Sequence, residues 1–210
     1  MTDAQHGVSA RDCGRARRRL SLLSALGALV WLATLILPVT AMADEGMWAR
    51  LRGGGHVVMI RHTITTPGAG DPAGMRLDDC ATQRNLSDAG REHARRIGEA
   101  FRTREIPVER VRSSPWCRCL ETARLAFGAA DTWTALSNLY GRRQAEDEQV
   151  RQLRVAVGEP RAGTNLVLVS HGSTIAALTD VMPAPGEIVV LTPRGEGRFT
   201  VAGRLTVQPG

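Results

Sequence analysis

Two histidines in this sequence stand directly after an apolar run and one polar residue: Val57-Val58-Met59-Ile60-Arg61-His62 and Leu166-Val167-Leu168-Val169-Ser170-His171. A third run ends at Val111-Arg112-Ser113-Ser114, and Arg118 lies one helical turn beyond it. If these runs are neighbouring parallel strands, His62, His171, Arg61 and Arg118 converge on one rim. Two imidazoles and two guanidiniums around a point make a site for a dianion, because guanidinium forks match phosphate oxygens. Helices expected to open at Ser114 and Ser173 add partial positive charge there. A neutral imidazole is also a nucleophile toward phosphorus when its other ring nitrogen is held by a hydrogen bond. The set predicts phosphoryl chemistry, with one imidazole attacking and the other, together with Arg61 and Arg118, stabilising charge on the phosphoryl oxygens.

The surrounding sequence predicts the elements that must hold these groups. His56–Ile60 and Asn165–Ser170 are short and apolar throughout, as strands buried on both faces are. Pro107–Val111 reads as a further strand. Residues 63–82 carry the turn signals Pro67-Gly68 and Asp71-Pro72 and form a long loop of the kind that often serves function. Ser87 offers an N-cap to a helix reaching about Arg104. Ser114-Pro115 opens another, with Pro at its first position. A polar helix covers Glu146–Val157 and a short one follows Ser173, while Glu187–Leu191 and Arg198–Val207 read as edge strands. The alternation predicts an α/β domain, a three-layer α/β/α sandwich on a mostly parallel sheet. Ligands in such sheets bind beyond the C-terminal strand ends, where both histidines fall.

The first 43 residues read differently. Arg11, Arg15, Arg17, Arg18 and Arg19 precede an uncharged stretch rich in Leu and Ala that closes on Ala41-Met42-Ala43. That is the pattern of a secretory signal peptide, which places residues 44–210 in the periplasm or outside the cell. The other reading is an inner-membrane anchor, since about 20 apolar residues span a bilayer; Pro38 and the small residues favour cleavage. The net charge of +6 weakens as a nucleic-acid footprint on inspection. Every basic residue is Arg, and beyond residue 43 the sequence has 22 Arg against 19 acidic residues with no basic run interleaved with aromatics. Nucleic acid is therefore unsupported as a partner. Beyond the leader three cysteines remain, Cys80, Cys117 and Cys119, so one bridge and one thiol are expected. They make a poor metal set without a nearby His. Cys119 shares a helix side with Ala123 and reads as core. Cys117 faces the rim where the Cys80 loop should arrive, which predicts a Cys80–Cys117 disulfide.

Four ordered blocks between residues 56 and 180 resemble the histidine phosphatase superfamily, which also contains the cofactor-dependent phosphoglycerate mutases. They are Val57–His62, then Asn85-Leu86-Ser87-x-x-Gly90, then Ser113-Ser114-Pro115-x-x-Arg118-x-x-Glu121-Thr122-Ala123, then Leu168–Gly172. With the leader, the resemblance is to an exported bacterial branch. It implies a phosphoglycerate mutase-like fold, a transiently phosphorylated His62 and a phosphoryl group held by Arg61, Arg118 and His171. It implies no metal and no organic cofactor. The expected reaction is hydrolysis of a small phosphomonoester. Similarity to phosphatases of lipopolysaccharide-core heptose phosphates points to an envelope phosphosugar as substrate. Rival readings are a phosphohistidine phosphatase and a non-catalytic phosphoryl-binding module.

The sequence departs from the family pattern in two places. Thr63 stands where a Gly usually follows the catalytic His, so either the turn differs or the hydroxyl enters the pocket. No acid follows His171, where Gly172 stands, and Asp131, Glu146, Asp147 and Glu148 lie in no recognisable motif, so the proton donor is unassigned. The small phosphohistidine phosphatases of the superfamily lack such an acid. Of the remaining polar residues, His56 reads as structural and His93 as part of a solvated helix face. Asp78-Asp79 divides evenly between substrate recognition and plain loop, and Arg84 reads as rim or surface.

Overall fold

A computed structural model describes residues 39–142, 144 and 146–209. The expected leader, residues 1–43, lies outside the described residues except for Val39–Ala43. These five open helix α1 (Val39–Arg52), and the unit from Asp44 onward carries the sheet and the site. No helix among the described residues is long and apolar enough to cross a membrane.

Six strands form one sheet. In chain order they are β1 (Val57–Arg61), β2 (Val108–Ser113), β3 (Asp131–Thr132), β4 (Asn165–Ser170), β5 (Ile188–Pro193) and β6 (Phe199–Leu205). Their spatial order is β3-β2-β4-β1-β5-β6, with β3, β2, β4 and β1 parallel and β5 and β6 joined antiparallel. The register sets Ile60 opposite Val169 and Arg61 opposite Ser170. The residue after each strand, His62 and His171, therefore leaves the same sheet edge.

The apolar strand runs alternate between two cores, as side chains of a twice-buried strand must. Val58, Ile60, Val167 and Val169 pack against Trp48 and Leu51 of α1, helix α2 (Asp88–Thr103) and helix α3 (Cys117–Phe127). Val57, Met59, Leu166 and Leu168 pack on the other face against helix α4 (Glu146–Gly158) and helix α5 (Gly172–Thr179). The result is the three-layer α/β/α arrangement.

Three expectations require correction. Strand β5 is interior, buried between β1 and β6; of these last two strands β6 alone is an edge, β3 forming the other edge of the sheet. Helix α3 begins at Cys117 with Trp116 at the N-cap, two residues after Pro115. The hydroxyl that would have opened it earlier, that of Ser114, lies 2.8 Å from His171 Nε2 instead. His93 is buried, not solvated: its Nε2 lies 2.7 Å from the carbonyl of Val207 and Gly186 presses on its ring.

Helix α2 starts as expected, with the Ser87 side chain accepting from the Gly90 N–H. Gly90 has a further role. A Cβ there would lie 1.9 Å from the carbonyl oxygen of Ile64, so only glycine lets this helix abut the turn just past His62.

Candidate active site

His62 and His171 stand with ring centroids 5.4 Å apart at the C-terminal ends of β1 and β4. Arg61, Arg84 and Arg118 share with them a cavity of about 350 Å³. The structure thus brings together all four residues singled out from the strand ends, and adds Arg84.

The Nδ1 of His62 lies 2.9 Å from the carbonyl oxygen of Thr63. A carbonyl can only accept, so Nδ1 carries the hydrogen and Nε2 keeps its lone pair. The ring is buried, and its pKa is lowered to about 3. Burial is the main cause; the Thr63 carbonyl opposes it, and the charges of Arg118, Arg61 and Arg84 add to it. His62 is therefore neutral at pH 7, as a nitrogen nucleophile must be.

Thr63 resolves its own two alternatives. Its φ is negative, so the turn differs from one that needs glycine. Its hydroxyl points away from the cavity and donates to the Gly90 carbonyl at 2.8 Å, while its N–H donates to Thr122 Oγ1 at 3.2 Å. Thr63 thereby ties the His62 turn to both α2 and α3.

His171 is the N-cap residue of α5. Its Nε2 is 2.8 Å from Ser114 Oγ and its Nδ1 is 3.4 Å from Arg118 Nη2. Arginine cannot accept, so Nδ1 is the acceptor and Nε2–H donates to Ser114. The Cys119 thiol packs 3.4 Å from Nε2, and burial pushes its pKa up to about 12. Trp116 meets the His171 ring edge-on at 5.3 Å. The pKa of His171 lies well below its ordinary value, first from burial and then from His62 and the arginines. A bound dianion would reverse that charge effect and favour imidazolium.

The arginines are anchored from behind. Arg61 donates from Nη1 to the Pro183 carbonyl at 2.8 Å and lies across the start of α5. A Cβ on Gly172 would stand 3.3 Å from its Cζ and Nε, so the residue after His171 must be small for Arg61 to reach the cavity. Arg84 donates to the Gly68 carbonyl at 2.8 Å. Arg118, 1% exposed, donates to Asp71 from Nη1 and Nη2 at 2.5 and 3.1 Å. Burial depresses Arg61 and Arg84, and the neighbouring positive charge of Arg118 depresses both further.

The other residues weighed from sequence lie elsewhere. Asp131 pairs with Arg110 on the exposed sheet edge, and Glu148 pairs with Arg151 on α4. Neither these two nor Glu146 and Asp147 lines the cavity. His56 sits at the opposite end of β1 with Nδ1 3.2 Å from Thr192 Oγ1. Asp78 and Asp79 pair with Arg76 in the exposed loop. Cys80 and Cys117 are joined by a disulfide, and Cys119 is the free, buried thiol. Asp71 and Arg84 are the site residues that sequence reasoning missed or left undecided. The Asp71-Pro72 turn signal marked the place without revealing a carboxylate aimed at Arg118.

Residues 57–139 match the model of the histidine phosphatase superfamily (branch 1). That segment carries Arg61, His62, Arg84 and Arg118. None of the curated proteins gives a significant sequence match. Among solved structures, one from Agrobacterium tumefaciens assigned as the phosphohistidine phosphatase SixA is 21% identical, with a TM-score of 0.50 over 73% of this chain and 99% of that one. A phosphoserine phosphatase from Entamoeba histolytica, solved with 3-phosphoglyceric acid, is 14% identical, with a TM-score of 0.53 over 73% of this chain and 98% of that one. These likenesses show the fold, a phosphoglycerate mutase-like α/β sandwich.

Proposed function

We propose that this protein is an exported phosphatase that hydrolyses a small phosphomonoester through a phosphohistidine on His62. One observation carries the reading. A neutral His62 with Nδ1 bonded to a carbonyl leaves Nε2 as the reactive nitrogen, in a cavity it shares with three arginines and a second histidine. The match of residues 57–139 to the histidine phosphatase model supports it.

In the first step Nε2 of His62 attacks phosphorus and the P–O bond to the leaving group breaks. The leaving oxygen departs with the ester's electron pair and takes a proton. In the second step water attacks phospho-His62, yielding inorganic phosphate and regenerating the imidazole. Arg61, Arg118 and His171 hold the equatorial oxygens in both steps, and the start of α5 adds its partial positive charge. Tyr140 and Met182, both exposed at the cavity mouth, leave room for a leaving group with an apolar or ring face. A sugar phosphate of the cell envelope fits the proposed export.

A second reading comes from the residues around the cavity. Among the described residues no Asp or Glu lines it, and the carboxylate of Asp71 beside it is engaged by Arg118. An activated phosphoryl donor, such as phosphohistidine, needs no acid because its leaving group departs readily.

The test is turnover by the purified protein of p-nitrophenyl phosphate, sugar phosphates and phosphohistidine, with His62→Ala alongside. Loss of several orders of magnitude in the variant, with loss of acid-labile radiolabel on the protein, is expected. A variant that keeps most of its rate overturns the mechanism. A steep fall in rate as the leaving-group alcohol becomes more basic favours the second reading over the first.

A further inference from the structure

Asp71 has no part in the chemistry above, yet its carboxylate gathers four donors at the back of the site. Both Nη atoms of Arg118 reach it at 2.5 and 3.1 Å, the indole Nε1 of Trp116 at 3.1 Å and the backbone N–H of Arg84 at 3.1 Å. The side chain is 10% exposed. A negative charge this close to a dianion site repels the ligand, and it persists only if the gain in order outweighs the repulsion.

Its partners show what it orders. Arg118 is buried and would be an unpaired cation in the empty site without Asp71, an expensive state. Trp116, held by the same carboxylate, packs its ring edge-on against His171 at 5.3 Å. The Arg84 N–H fixes the end of the loop from which a third guanidinium enters the cavity. One side chain in a loop thus reaches two cavity residues, Arg118 and Arg84, directly, and touches His171 through Trp116.

The remaining Arg118 contacts are long: Nη1 to the Arg84 carbonyl and Nη2 to His171 Nδ1, each 3.4 Å. These are the contacts a phosphoryl oxygen can replace. Asp71 does not itself line the cavity, although Ala69 and Gly70 beside it do, so the ligand meets Arg118 from the other side. We infer that Asp71 is a positioning residue: it stays bound to Arg118 when the site fills, directing that guanidinium toward the phosphoryl group and bracing His171 through Trp116. The inference rests on the phosphatase reading of this cavity.

The test compares wild type, Asp71→Asn and Trp116→Phe by vanadate affinity and by kcat/KM over aryl phosphates of graded leaving-group pKa. Vanadate needs no turnover, so a protein that binds it while hydrolysing neither esters nor phosphohistidine sinks the phosphatase reading while still testing Asp71. Weaker vanadate binding and a kcat/KM loss of about 10–100-fold in Asp71→Asn, equal for every leaving group, are expected. Trp116→Phe keeps the ion pair and should show a smaller loss of the same kind; it also keeps the test open if Asp71→Asn fails to fold. Tighter vanadate binding in Asp71→Asn would show a competitor for Arg118 and overturn the inference. A loss that grows with leaving-group basicity would show a proton donor and overturn it equally, as would unchanged kinetics in both variants.

Discussion

At the scale of single residues, the site depends on small departures from ordinary side-chain choices. Gly172 is one. Its Cβ would stand 3.0 Å from the Met182 sulfur as well as 3.3 Å from the Arg61 guanidinium. Gly172→Ala should push Arg61 aside and weaken vanadate binding several-fold. Stability should change little, since Gly172 is the first residue of α5, where the helix-interior advantage of alanine is mostly absent. Vanadate titration alongside thermal melting separates the two effects. The residues at the strand ends are legible in the sequence because a buried strand announces itself by composition, and the next residue along must emerge at the rim. Arg84 and Asp71 are not, because a loop of this length has no period from which to read direction. His93 is hidden for another reason. Gly90, Ala94, Ile97 and Phe101 mark the buried stripe of α2, and His93 lies beside it. Its arginine neighbours disguise that position as a solvated face.

At the scale of elements, the long loop between β1 and α2 is held at its far end by the disulfide from Cys80 to the first residue of α3. Arg118 is the next residue along that helix, and Arg84 and Asp71 belong to the same loop segment. Losing the bridge should therefore affect stability and ligand binding together. Cys117→Ser is expected to lower unfolding free energy by about 2–5 kcal/mol, and to weaken vanadate binding through freer placement of Arg84. Denaturant titration with and without reductant checks the first part, because reductant should lower wild type to the level of the variant. The order of elements is largely readable from hydrophobic patterning. The place of β5 is not, since the sequence has no marker that separates an interior antiparallel strand from an edge one until its partners are known.

At the scale of the whole molecule, burial of histidines sets the response to acid. His56, His62, His93 and His171 all have pKa values below the ordinary one, with burial the first cause in each. The unfolded chain therefore binds more protons than the folded one as pH falls below about 6.5, and stability is lost in that direction. For His62, held to about 3, the loss is about 1.4 kcal/mol per pH unit below 6.5. Urea midpoints should be flat above pH 7 and fall clearly between pH 6.5 and 5. A midpoint that rises on acidification would contradict the buried, neutral state of these rings.

Strands β1 and β4 lie side by side although more than a hundred residues separate them in the chain. His62 and His171, which line one cavity, are brought together across that separation. Loop closure over such a span is slow and comes only with the collapse of the central sheet. A growing or partly folded chain consequently holds His62 without its counterpart, and phosphoryl binding should return during refolding in step with the slowest phase of sheet formation, never ahead of it.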